Sequence, residues 1–192
     1  MKRLRKIFAH EVAHTLNTVL EHLKFIDECG VHLGLTRLYG RAAPGKRVVE
    51  ATPGYSGPNY TLVAALGLNQ VSAPWLLEGP LNGTAFETYV DQVLVPTLKP
   101  GDVVLIDNLS AHKGVAIQTA IEVRQARVVF LPPYSPDLNP IEKCWAKVKT
   151  ALRAAKARTL AALIDAVCEA LRSITAEDAA AWFAHCGYAV NP

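Results

Sequence analysis

Val103-Val104-Leu105-Ile106-Asp107-Asn108 is a run of four aliphatic residues closed by an acid and an amide. Aliphatic residues without polar alternation predict a strand buried on both faces, as in the parallel part of an α/β sheet. Pro100-Gly101-Asp102, just before it, reads as the turn that starts the strand. A second apolar run, Leu23-Lys24-Phe25-Ile26-Asp27, also closes on an acid. A third acid, Glu142, follows a proline-rich stretch, Pro132-Pro133-Tyr134-Ser135-Pro136-Asp137-Leu138-Asn139-Pro140. It opens a helix in which Ile141, Trp145, Val148 and Leu152 recur at i, i+4, i+7 and i+11. Between Asp107 and Glu142 lie 34 residues.

The rest of the chain is read outward from these stretches. Residues 7–22 carry an amphipathic helical stripe, and residues 23–28 a strand. Cys29-Gly30 reads as a tight turn into a second strand over 31–39. Residues 40–58 are rich in Gly and Pro and predict a loop. Strands follow at 60–68 and, weakened by Pro74, at 71–77. A helix is expected at 84–94, then the strand at 103–107, a helix near 115–125, and a strand at 127–131. Beyond the helix that starts at Ile141, two more are expected at 159–172 and 176–184. An antiparallel meander followed by βαβ units gives an α/β fold, a mixed sheet flanked by helices. Such a sheet can set its first strand beside, and parallel to, the strand at 103–107. Asp27 and Asp107 then share the carboxyl edge, where open α/β sheets build their sites.

Carboxylates a few Å apart repel, so one takes up a proton or the group shares a cation. Mg²⁺ suits such a cluster, since it takes oxygen ligands and keeps several waters. Two such ions clamp an in-line displacement at phosphorus. Each acid also has an ordinary reading. Asp27 and Asp107 fit strand-end residues bonded to loop amides. Glu142 fits the third position of a capping box with Asn139 as N-cap and Pro140 first in the helix.

Three stretches together carry a family resemblance. They are Phe25-Ile26-Asp27-Glu28 with Tyr39-Gly40-Arg41-Ala42-Ala43-Pro44-Gly45, then Ile106-Asp107-Asn108-Leu109-Ser110-Ala111-His112-Lys113, then Leu131 through Glu142 with Trp145 and Lys149. The set resembles the catalytic domain of DDE transposases of the mariner superfamily, in particular its bacterial insertion-sequence branch. The resemblance runs from about residue 23 to 155. It implies a ribonuclease H-like fold over 23–158, with 1–22 as a helical lead-in and 159–192 as helices packed on the same domain. It implies Asp27, Asp107 and Glu142 as catalytic acids and metal ligands, holding Mg²⁺ (or Mn²⁺), two ions in all. The activity implied is DNA cleavage at transposon ends followed by strand transfer into target DNA, by a homodimer. Lys113, Lys143, Lys147, Lys149 and Arg153 are the expected DNA contacts, with Asn108, His112 and Asn139 supporting the site. Members of the family carry two helix-turn-helix units ahead of the catalytic domain. Only about 22 residues precede the first strand here, so a helix-turn-helix partner or fusion is expected to supply end recognition. The alternative is a truncated transposase remnant, or an assembly module without independent activity.

Composition sets outer bounds. At 192 residues with 51% hydrophobic residues, the chain suits one folded domain and not a disordered one. The net charge of +3 argues nothing by itself, but cations cluster at Lys2, Arg3, Arg5 and Lys6 and again from Lys143 to Arg158. The four cysteines form no C-x-x-C pair, which fits a reducing compartment. No run approaches the ~20 apolar residues of a membrane span, so a soluble, cytoplasmic chain is expected, and the resemblance implies a bacterial, DNA-associated one. His10-Glu11-Val12-Ala13-His14 matches the zinc-protease helix signature. Neither an extended third-ligand motif nor a clearly placed downstream Glu supports that competing reading.

Overall fold

The computed structural model describes Phe8 and residues 20–54, 57–108 and 114–188. The amphipathic stripe of 7–22, the basic cluster at 2–6 and the His10–His14 motif lie almost wholly outside the described residues; Leu20–His22 form a single 3-10 turn.

Five strands make one sheet: β1 (Leu23–His32), β2 (Asn59–Leu66), β3 (Val71–Glu78), β4 (Val103–Ile106) and β5 (Arg127–Phe130), in the order β3-β2-β1-β4-β5. β1 runs antiparallel to β2, and β2 antiparallel to β3. β4 is parallel to both β1 and β5. The sheet is therefore mixed, a meander joined to a parallel pair. One expectation is corrected. Cys29-Gly30 is no turn, and no strand follows over 33–39; β1 continues to His32, with Gly30 opposite Thr61 of β2. Ladder pairing with β2 outweighs the local weakness of a strand glycine.

Strand parity divides the core in two, because successive side chains point to opposite faces. Leu23, Phe25 and Cys29 of β1 join Val103 and Leu105 of β4 on one face. Ile26, Val104 and Ile106 lie on the other. The Ile26 face is covered by α1 (Gly83–Tyr89), which continues as a wider and then a tighter turn to Thr97, and by α2 (Val115–Glu122). The Phe25 face is covered by α3 (Ile141–Ala155), α4 (Leu160–Arg172) and α5 (Ala176–His185). Ile141, Trp145, Val148 and Leu152 of α3 are each 2% exposed or less, as their period requires. Phe25 meets Phe183 edge-on at 5.2 Å and Tyr188 at 5.0 Å. The Tyr188 hydroxyl donates to the Leu138 carbonyl at 2.8 Å, tying the C-terminal end to the proline-rich loop. All four cysteines are free thiols, and no helix among the described residues is long and apolar enough to cross a membrane.

Candidate metal and nucleic-acid site

The register of β1 and β4 fixes the first two acids. Ile26 pairs with Ile106, so Asp27 and Asp107 follow side by side where the parallel pairing ends; Asp107 lies just past β4, whereas Asp27 does not end its strand as expected but stays within β1, opposite Ala64 of β2. Parity gives both the orientation of Phe25 and Leu105, toward the face that α3 covers. β5 ends opposite Ile106, and Leu131 donates its N–H to the Ile106 carbonyl at 2.8 Å. The proline-rich loop thus leaves the sheet at the same edge and delivers α3 over it. Asp27, Asp107, Asn108, Asn139 and Glu142, with residues 131–136, line one cavity of about 360 Å³. The structure therefore brings all three acids to one cavity, with Asn108 and Asn139. His112 and Lys113 lie outside the described residues.

The electrostatics of the cavity are those of crowded acids. The Asp27 carboxyl is pushed from 3.8 up to about 8. Burial is the largest cause, and the charges of Glu28, Glu142 and Asp107 add to it; the hydrogen bond from the Glu28 backbone N–H, at 2.8 Å, opposes it. A cation bound among these carboxylates would favour the charged form and draw the value down. Among the described residues no three acid, His or Cys side chains stand close enough together to hold a metal ion, so the three acids share a cavity without forming a ready-made ligand set. The donors are nevertheless all oxygen, and two carboxylates on neighbouring strands with an open cavity fit a hard divalent ion that keeps its waters.

The shift sets a sign for stability. Between about pH 4 and pH 8 the folded chain retains a proton on Asp27 that the unfolded chain releases. This contribution is complete below the unfolded value and is lost as pH rises through the folded one. In chelator the melting temperature is expected to fall from pH 5 to pH 8.5, with Asp27→Asn flattening that slope. Mg²⁺ is expected to raise the melting temperature more at pH 8 than at pH 6, since it competes with the proton. Parallel pH profiles for wild type and Asp27→Asn would contradict this.

Two expectations at the start of α3 need correcting. No capping box forms. Pro140 occupies the capping position without a side-chain hydrogen bond, and Asn139 turns its amide to Asp27 instead, Nδ2 donating to Oδ2 at 3.1 Å. The Glu142 carboxylate is thereby left to the cavity. The basic cluster, too, is not one surface. At 3.6 residues per turn, Lys149 and Arg153 fall within about 20° of Glu142, whereas Lys147 lies about 140° away. Lys147 pairs with Asp178 of α5 and donates to the Ser173 carbonyl, so its charge serves helix packing. Lys143 acts on Cys186, whose thiol burial pushes up to about 11. Lys149 acts on Cys29, two residues beyond Asp27, whose thiol burial pushes up to about 12.

Sequence reasoning gave no role to the wall of the cavity formed by 131–136. Tyr134 in that wall is 87% exposed and has φ 54°, a left-handed conformation uncommon for a bulky residue.

The family model described as DDE superfamily endonuclease matches residues 22–164. A comparison with curated protein sequences gave no significant match. Among solved structures, the Mos1 mariner paired end complex with Mn is similar over 97% of this chain, at 18% identity and TM-score 0.74. A pre-cleavage Mos1 transpososome is similar over 97% at 17% identity and TM-score 0.73. This chain spans 57% of the transposase chain in each. The catalytic domain of Mos1 mariner transposase is similar over 95% of this chain and 85% of its own length, at 15% identity and TM-score 0.67. At these identities the likeness is one of fold, a mixed five-stranded sheet of ribonuclease H type flanked by helices.

Proposed function

This chain belongs to the DDE superfamily of endonucleases, and on that footing we propose that it is the catalytic domain of an insertion-sequence transposase, cutting DNA at transposon ends and joining them to target DNA. The observation that carries the reading is the convergence of Asp27, Asp107 and Glu142 on one cavity at the carboxyl edge of a parallel strand pair. Asp27 and Asp107 hold divalent metal from the sheet, and Glu142 adds a third carboxylate from α3. Mn and Mg occur in the similar Mos1 complexes, which supports a divalent ion here. Two bound Mg²⁺ or Mn²⁺ ions supply Lewis-acid activation of the attacking oxygen and charge for the leaving oxygen.

In the first step the oxygen of a water forms a bond to phosphorus, and the 3′-oxygen of the transposon end leaves and takes up a proton. In the second, that 3′-hydroxyl gives up its proton as its oxygen forms the bond to a target phosphorus, and the target's own 3′-oxygen leaves and takes up a proton. Neither step needs covalent help from the protein, only alignment and compensation of charge. Asn108, beside Asp107, lines the same wall and orients the incoming strand. Lys149 and Arg153, on the Glu142 flank of α3, follow the phosphates into the cavity, and Lys113 is a further phosphate contact. Lys143 lies on the flank away from the acids and reaches DNA only at the margin. The working unit is a homodimer on paired ends, as paired-end complexes of Mos1 suggest. A helix-turn-helix region, in partner or fusion, supplies end recognition. The setting is the DNA-associated cytoplasm of a bacterial cell.

Phosphate contacts make binding salt-dependent and largely indifferent to sequence. Lys149→Ala and Arg153→Ala are each expected to weaken binding to any duplex and to reduce the salt slope by about one. Lys147→Ala is expected to lower thermal stability and leave DNA affinity unchanged. Gel shifts across a salt series decide between these. If Lys147→Ala were the more damaging to binding, the assignment of faces would be wrong. If the 192-residue chain alone selected transposon ends over random DNA, the requirement for a separate recognition region would fall.

A further inference from the structure

Asn139 stands where a helix would use it as a cap, and the structure uses it otherwise. Its side chain is 4% exposed, and its Nδ2 donates to Asp27 Oδ2 at 3.1 Å, across 112 positions of sequence. The other Asp27 oxygen, Oδ1, accepts the Glu28 backbone N–H at 2.8 Å. Both oxygens of the carboxylate thus have a fixed donor, which sets its plane and leaves its remaining lone pairs for the cavity. With Asp27 ionised, as a metal ligand is, the amide takes this orientation, because the opposite flip would place two acceptors, Asn139 Oδ1 and Asp27 Oδ2, against each other.

The cost shows at the far side of the amide. Asn139 Oδ1 is buried without a hydrogen-bond partner among the described residues, although the residue lines the cavity. A buried, unpaired acceptor is rare in folded proteins and is tolerated where a ligand or solvent molecule completes it. The backbone around it is held firmly. Asn139 N–H donates to the Pro136 carbonyl at 3.1 Å, the Asn139 carbonyl accepts the Glu142 N–H at 3.2 Å, and the preceding carbonyl is held by Tyr188. One residue therefore links Asp27 on the sheet to the helix start that carries Glu142.

We propose that Asn139 is a positioning residue for Asp27: its amide fixes the plane of that carboxylate, and its Oδ1 accepts a hydrogen bond from a water or substrate hydroxyl seated beside it. The proposal rests on the reading of Asp27 as a ligand of divalent metal. Loss of a partner that orients a metal ligand typically weakens metal affinity by about 10–100-fold. The nearly isosteric Asn139→Leu removes both polar atoms at little change of volume.

The test measures Mn²⁺ affinity by calorimetry on the full chain, as wild type, Asn139→Leu and Asp27→Asn, with melting curves in chelator as the control for folding. It also follows the Asn139 side-chain amide resonances of the wild type during Mg²⁺ titration, which needs no variant. A folded Asn139→Leu with Mn²⁺ affinity lower by about 10–100-fold, and wild-type amide resonances that move with Mg²⁺ but stay fixed in Asp27→Asn, are the expected results. Wild-type affinity in a folded Asn139→Leu would overturn the proposal while leaving Asp27 as a ligand. Wild-type affinity in Asp27→Asn would overturn the metal reading beneath it. Should Asn139→Leu fail to fold, the wild-type resonances decide alone, and resonances indifferent to Mg²⁺ would overturn the proposal.

Discussion

Alanine at Asp27, Asp107 or Glu142 is expected to lower DNA nicking by on the order of a thousandfold, about 4 kcal/mol of transition-state stabilisation. DNA affinity is expected to stay nearly unchanged, because on the proposed reading the acids hold metal and neutralise no phosphate. Removing an acid from a cavity that already crowds three of them also relieves repulsion, so metal-free Asp107→Ala and Glu142→Ala should melt no lower than the wild type, whereas Asp27→Ala also takes the acceptor from the buried Asn139 amide, which offsets the gain. Loss of activity combined with unchanged or raised stability separates a ligand from a structural residue. The assay is end nicking with the helix-turn-helix region supplied, run beside a gel shift at matched salt. Three variants that nick as the wild type does would remove these acids from the chemistry.

The largest effect on stability is expected two residues before Asp27. Phe25 is fully buried, and its ring meets Phe183 and Tyr188 within 5.2 Å. Phe25→Ala removes that ring from a packed site and leaves a cavity, which typically costs about 3–5 kcal/mol. The aromatic contacts contribute beyond the area they bury. The loss should reach the site as well. Tyr188 holds the Leu138 carbonyl, and Leu138 precedes the residue bonded to Asp27. Urea unfolding should show a lower midpoint at unchanged slope, and Mn²⁺ affinity should fall even where the variant remains folded. A cost under about 1 kcal/mol would mean that the C-terminal helices do not buttress β1.

Much of this architecture could be read from the chain because its strands are simple. The aliphatic run at 103–106 has only one comfortable place, the middle of a sheet, and the matching run at 23–26 pairs with it residue for residue. The periodic apolar face of α3 placed that helix on the sheet. Other features depended on distant partners and could not be read locally. Cys29-Gly30 looks like a turn until β2 is set against it, and no periodicity within β1 reveals that ladder. Asn139 has the right chemistry and spacing for a cap, yet Asp27, far away in sequence, takes its amide. Lys147 has the same composition as its neighbours, and only the packing of α5 shows that Asp178 holds its charge. In each case a local preference of modest size yielded to a tertiary contact.

The central claim is that Asp27, Asp107 and Glu142 form one metal site. Crystals grown or soaked with Mn²⁺ test it most directly, by anomalous scattering at the manganese edge. The account predicts a peak in the cavity lined by Asp27, Asp107 and Glu142, within ligand reach of the Asp27 and Asp107 carboxylates. A peak only at another place on the chain, or a saturated crystal with none at these two carboxylates, would contradict it.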